Sequence, residues 1–394
     1  MKTLLLGSAA IAVLGTSVAA GGIERSNQST SVLYKKGNYV EFGFGEIRPS
    51  VSGKGETTGY KYDNVANDFS QKEFRAKIDL NDKLSFGMIM DSPFGADIEY
   101  GGSSTTTELG GTKAFADVKS QSFLLKYQIN ENASVFGGLR RQTASGEITL
   151  DGTTYGGTLQ VLPPALGSTV VSAGASGYNI ELSENVATGY TVGAAYEIPD
   201  IALRVALTFN TEINHKMDVS ESLPVDVVVP GVGVVASSTI TQDGTLDVKI
   251  PKSWNLDFQS GVAPGTLVFG SVRWVEHSAF GVYADLLGSE LVSLEDTYTY
   301  TLGVGHRYSP NLAVMASISH ERAGDDEVSP LAPTNGYTGI SLGGAYTFDN
   351  GFELSGGATW RKVGDAKGYA RDAVRANFDG NTVVGAGIKL SYNF

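Results

Sequence analysis

Four basic side chains, Lys126, Arg140, Arg204 and Arg307, fall on the polar face of stretches in which apolar and polar residues alternate. A carboxylate leaving water needs a cation or several donors, so these four are candidate carboxylate-binding residues. Each taken singly also fits an interior ion pair with a carboxylate on a neighbouring strand. Catalytic patterns are missing. The four histidines, His215, His277, His306 and His320, are scattered without metal-ligand spacing. No GxSxG, P-loop or GxGxxG run occurs. His320 with Asp325 and Asp326 is the one pairing suggestive of a hydrolase, and the acidic run Asp325–Glu327 reads more simply as a solvated loop face or a weak divalent-cation site. The expectation is a non-enzyme with no cofactor and no metal.

The elements that position these side chains are strands. Val384, Ala386, Ile388, Leu390, Tyr392 and Phe394 fall on one face of the last segment, against Gly385, Gly387, Lys389, Ser391 and Asn393. Ile201 to Asn210 and Tyr298 to Tyr308 repeat the pattern. Period-two alternation is the signal of half-buried strands, and a Gly-, Ser- and Thr-rich second face suits a polar lumen.

The connections organise the strands. Six are short and built from turn residues: Asn81-Asp82, Asn130–Asn132, Pro199-Asp200, Ala263–Gly265, Ser309–Asn311 and Asp349–Gly351. Seven long ones lie near 50–67, 101–111, 150–183, 219–239, 281–294, 322–336 and 366–378. Long and short alternate throughout, as in a membrane barrel with short periplasmic turns and long outer loops. The count predicts an all-β fold, a 14-stranded antiparallel transmembrane barrel with both termini in the periplasm. Tyr127, Tyr196, Tyr308 and Phe348 sit beside short turns, as an interfacial aromatic girdle requires.

Lys2, the apolar stretch Leu4 to Leu14 and Val18-Ala19-Ala20 read as a secretory signal over residues 1–20. Residues 21–37 form a short N-terminal segment and 38–394 the barrel. No later run of 18 apolar residues exists, which excludes a helical membrane protein. With no Cys, no disulfide holds the exported chain, and closed strand pairing takes that role. A net charge of −13 argues against nucleic acid as a partner.

Leu246–Trp254, Arg273–Ser278, Tyr298–Tyr308 and Ser329–Pro333 resemble, in order, segments of the FadL family of outer-membrane transporters, as do Tyr39–Gly53 and the strand carrying Ser92-Pro93-Phe94-Gly95. The resemblance implies a barrel in the bacterial outer membrane that imports hydrophobic small molecules, usually long-chain fatty acids, as a monomer among outer-membrane lipid. It implies an N-terminal plug, with Ile23 reaching into the lumen, and a lateral opening at a kink in the third strand. Pro93 lacks an N–H for the ladder and Gly95 adds freedom, so a break at Ser92–Gly95 is also plausible physically. The family's Asn-Pro-Ala motif is absent from residues 21–37, which points to a reduced plug, and the polar run Glu24 to Ser31 also fits a loose tail.

Two long connections are unusually apolar. One carries Leu159, Val161, Leu162 and Leu166, and the other Val227, Val228 and Val229. Exposed apolar patches mark binding, and the resemblance assigns these loops to substrate capture. Alternatively the loops pack together as a lid, or the Val-rich run extends a strand above the membrane. The competing functions are a general diffusion porin and a surface-interaction barrel such as an adhesin.

Overall fold

The computed structural model describes residues 23–157, 159–161, 170–172, 174–229 and 233–394, with side chains described outside 158–173 and 227–233. The described residues form a closed antiparallel barrel with a 14-strand wall. The strands are β1 (Tyr39–Ser50), β2 (Phe69–Asp79), β3 (Leu84–Glu99), β4 (Lys113–Gln128), β5 (Ala133–Leu150) and β6 (Tyr178–Ile198). β7 runs as Leu203–Asn210 and continues as Ile213–Val229, and β8 runs as Gly233–Ile250 and continues as Ser253–Ala263. The rest are β9 (Thr266–Val275), β10 (Thr297–Arg307), β11 (Leu312–Glu321), β12 (Tyr337–Thr347), β13 (Phe352–Val363) and β14 (Thr382–Asn393).

Closure is by β1 on β14, in register from Tyr39↔Asn393 to Ser50↔Thr382. Beyond the strand ends, Asn38 and Phe394 exchange both backbone hydrogen bonds, at 3.2 and 2.9 Å. The terminal aromatic residue is thus tied to the start of the wall, and no ladder edge is left open there.

Alternation separates two solvents. Phe42, Leu125, Leu207, Leu302, Leu342 and Ile388 face outward and are exposed. An apolar belt around the whole circumference has only lipid to cover it. Tyr127, Tyr196, Tyr308 and Phe348, beside the six short turns, are exposed on the same outer face. The inward face is polar. Buried Glu41 and Arg75 pair at 3.4 Å, Arg75 and Glu73 at 3.1 Å, and Lys389 and Glu41 at 3.7 Å. Charges out of water survive because each has a counter-charge on its own or an adjacent strand.

All six short turns fall where the sequence places them. Gly265 and Gly351 take positive φ, 71° and 88°, which a Cβ would strain. Among the described residues, most of the long connections carry short strands of their own. The expected loop at 219–239 is instead a hairpin, because β7 and β8 stay paired from Ile213↔Ile250 to Val229↔Gly233. Outward Asn214, Lys216, Asp218 and Ser220 are polar, so this hairpin stands above the lipid belt. Short strands at 53–55, 61–62, 327–328, 366–370 and 373–378 form a second sheet over the outer mouth. Under it, Tyr100 packs edge-on against Tyr62 and Phe378, at 5.3 and 6.2 Å between rings.

Candidate functional site: the lumen and the window in the wall

Residues 23–38 run inside the barrel. A single 3-10 turn, Ser31–Tyr34, seats Val32, Leu33 and Tyr34 against Ile89, Leu124, Phe136, Ala195 and Ala206 in an apolar layer near the periplasmic end. Leu33 needs the room at Gly87, where a Cβ would stand 2.3 Å from its methyl group.

Above that layer the segment is held by polar contacts. The Glu24 carboxylate pairs with Arg273 of β9. Arg273 also donates to Gln28 Oε1 at 2.9 Å and Ser253 Oγ at 3.2 Å, and it bonds Asn255. The Asn27 carbonyl accepts from Asn255 at 2.7 Å, Ser26 Oγ donates to Asp91 at 2.6 Å, and the Thr30 and Thr208 hydroxyls meet at 3.2 Å. The polar run Glu24–Ser31 is therefore not a loose tail. It is polar because the lumen it crosses is polar. Burial drives the Glu24 carboxyl above its usual range, against the opposing pull of Arg273.

The wall has a window beside this segment. β2 and β3 pair only from Asp79↔Ser85 to Phe74↔Met90. On its other side β3 slips register against β4 between Asp91 and Phe94, leaving Ser92 and Pro93 as a bulge. Among the described residues, no ladder bond joins Phe69–Glu73 of β2 to Asp91–Gly95 of β3. Pairing resumes above, where Asn67 donates to Asp97 at 2.9 Å. The N-terminal segment fills the gap as a surrogate strand: Arg25 N–H donates to Pro93 O at 2.7 Å, and Gly95 N–H donates to Ile23 O at 2.7 Å. Arg25 lies over the Phe69 ring at 4.3 Å, and its carbonyl accepts from Gln71. A Cβ on Gly95 would meet the Arg25 guanidinium at 2.7 Å.

Two cavities meet at Ile23. One lies behind the window and is lined by Ile23, Glu24, Phe69, Gly95, Ile98 and Leu331, among others. The other is in the upper lumen, lined by Ile23, Val118, Ala144, Leu182, Met217 and Val248, among others, and its described lining contains no ionisable side chain. Ile23 is buried and lines both, as do Ala96, Leu331 and Ala332.

The four candidate cations are not brought together. Lys126 and Arg204 both lie over the Tyr34 ring at 4.6 Å, beneath the N-terminal segment. Lys126 pairs with Glu197 at 3.6 Å and Arg204 donates to Gln259 at 2.9 Å. Arg307 ends β10 at the periplasmic rim, next to Gly265. Arg140 is in the upper lumen, 1 % exposed, and donates to the Thr211 carbonyl at 2.7 Å. The two apolar runs are neighbours in the backbone: Leu159–Val161 pairs with Val170–Ser172, which pairs with Asp226–Val228. Leu162 and Leu166 lie outside the described residues, as do the side chains of Leu159, Val161, Val227, Val228 and Val229. His320 bonds Thr338 at 3.0 Å, and no metal-binding cluster is found among the described residues. Sequence reasoning missed Glu24 and Arg273. The inward register of Arg273 on an alternating strand was the available signal.

A closed barrel with a lipid-facing belt, a filled lumen and a stretch of wall between β2 and β3 without ladder bonds defines an outer-membrane transport barrel. The family model described as "Outer membrane protein transport protein (OMPP1/FadL/TodX)" matches residues 11–394, and the chain belongs to that family. It is similar to the long-chain fatty acid transport protein of Salmonella typhi, at 23 % identity over 299 residues, covering 71 % of this chain and 67 % of the relative. The long-chain fatty acid transport protein of Escherichia coli O157:H7 is 23 % identical over 332 residues, 76 % of this chain and 72 % of the relative. Its fold is that of a Pseudomonas aeruginosa FadL homologue, with TM-score 0.70, 13 % identity and 97 % of each chain covered. The Pseudomonas putida toluene transporter TodX is also similar, with TM-score 0.63, 15 % identity and 96 % of each chain covered. The chain is therefore an outer-membrane transporter of hydrophobic compounds.

Proposed function

We propose that this barrel is a passive, non-enzymatic importer whose substrate, a long-chain fatty acid or a comparably apolar molecule, leaves sideways through the wall at Ser92–Gly95. The single observation that carries this reading is the backbone pairing of Ile23–Arg25 with Pro93–Gly95, where the wall lacks its own ladder. In this reading the mature chain starts after residue 20 and residues 21–37 act as a plug. Ile23 lines both the upper apolar cavity and the cavity behind the window. The apolar runs with Leu159, Val161, Leu162 and Leu166 and with Val227, Val228 and Val229 capture substrate, which then enters the upper cavity. The drive is transfer from water, about 0.8 kcal/mol per methylene. Of the four cations, Arg140 is the one nearest the upper cavity, and it would face the polar head of the substrate. The barrel works as a monomer in outer-membrane lipid.

Proteoliposome uptake tests this. Labelled oleate should enter in proportion to protein, and maltose should not. Sugar flux without oleate flux would overturn the importer reading in favour of a porin.

A further inference from the structure

Beneath the apolar upper cavity the lumen changes character over one step of each strand. Val118 of β4 pairs with Ala144 of β5, and both line the cavity. The next inward pair towards the periplasm is Ser120↔Gln142, and the one after it Ser122↔Arg140. Two residues along a strand is roughly 6.6 Å, so Ser120 and Gln142 lie one inward step beneath the cavity lining. His215 of β7 joins them from the side. It shares its inward face with Met217 and pairs with Val248, both of which line the cavity.

These side chains are out of water and short of partners. Gln142 and His215 are 0 % exposed, Arg140 1 % and Ser120 3 %. Ser120 Oγ, both amide atoms of Gln142, His215 Nε2, and Nε and Nη1 of Arg140 have no hydrogen-bond partner among the described residues. Buried polar atoms are almost always paired, so orphans gathered at one level need an explanation.

The character of the His215 nitrogen follows from its neighbour. Asn185 donates its amide Nδ2 to the Lys216 carbonyl at 2.7 Å. That fixes the amide, so its Oδ1 is the atom 3.1 Å from His215 Nδ1. An oxygen there accepts, so Nδ1 carries the proton, and the Nε2 of a neutral ring is a lone pair in want of a donor. This level therefore offers donors from Arg140 and Gln142 Nε2, and acceptors in His215 Nε2 and Gln142 Oε1. A hydroxyl gives one proton and receives on its oxygen, which matches both. A carboxylate has no proton for Nε2.

We propose that Ser120, Arg140, Gln142 and His215 form a polar shelf that receives the hydroxyl of an otherwise apolar, uncharged substrate, an alcohol or a phenol. This rests on the importer reading and narrows its substrate class.

The test uses the full chain in detergent and three probes of one shape: p-cresol, p-xylene and p-toluate. Equilibrium dialysis should give p-cresol roughly tenfold tighter binding than p-xylene, with p-toluate weakest. His215→Phe should bring the p-cresol to p-xylene ratio, measured on the same variant, close to one. Gln142→Leu should lower it by a smaller factor. Binding of p-xylene and heat-modifiable gel migration show that each variant is folded. Equal affinity for p-cresol and p-xylene in the parent protein overturns the shelf, and so does tightest binding of p-toluate with a silent His215→Phe. If none of the three binds, the shelf is overturned, and the uptake of labelled oleate decides the importer reading separately.

Discussion

The Gly95 amide donates to the Ile23 carbonyl at 2.7 Å, in a stretch where β3 has no ladder partner on β2. A segment from inside the lumen thus completes the wall. Whatever passes sideways here must first break this contact, and lumen and window are controlled by the same few residues.

Restoring an ordinary strand should close the route. Pro93→Ala returns an N–H to β3, and Gly95→Val puts a branched side chain where a Cβ alone would meet Arg25 at 2.7 Å. The double variant should take up labelled oleate about tenfold more slowly while still migrating as a folded barrel. Unchanged uptake would place the exit elsewhere.

Arg273→Met leaves Glu24 buried without its cation and strips partners from Gln28 and Asn255. Removing one partner of a buried pair costs about 3–5 kcal/mol, and here the cost falls on a segment that can leave the lumen. Ion conductance in a planar bilayer should rise, with the barrel intact. Conductance equal to that of the parent would show that the pair does not hold the segment.

The outer cap should loosen in acid. Burial acts to raise the Glu108 pKa, but hydrogen bonds from the Thr58 hydroxyl and N–H and from Thr57 N–H outweigh it and hold the carboxyl below its usual range. A depressed folded value stabilises the cap above the unfolded carboxylate pKa, and that contribution is lost as pH falls through the folded value. Proteolytic cutting of the outer loops should increase as pH falls below the ordinary carboxylate range, and Glu108→Gln should be cut faster already at neutral pH, with this acid step lost. A pH-independent cutting pattern would remove Glu108 from this role.

Ile23→Ala should widen the passage between the two cavities, both of which Ile23 lines. Oleate uptake should become faster, with its dependence on Gly95 retained. Slower uptake would mean that Ile23 contacts the substrate productively rather than standing in its way.

The wall was legible because two-residue alternation and turn chemistry are local. Asp349-Asn350-Gly351 announces a turn whatever surrounds it, and Leu390 faces lipid by its parity with Phe394. The N-terminal segment was not legible. Glu24, Ser26 and Gln28 look like solvated residues until their partners Arg273, Asp91 and Ser253 are known, each more than sixty residues away. Over 219–239 the sequence leaves both a loop and a strand extended above the membrane open, because the outward face turns polar there and reverses the contrast that marks a lipid-facing strand. The orphaned atoms of Gln142 and His215 depend on tertiary burial, which no pattern in one strand reports.

The central claim is that substrate leaves where the N-terminal segment pairs with β3. Glu24 and Phe94 are paired there across an isolated antiparallel bridge, and the chain contains no Cys of its own. Cysteines at both positions should form a reducible link that pins the segment into the window. In proteoliposomes, Glu24→Cys/Phe94→Cys should be blocked for oleate when oxidised and regain uptake on adding reductant. Equal uptake in both states would contradict the lateral route.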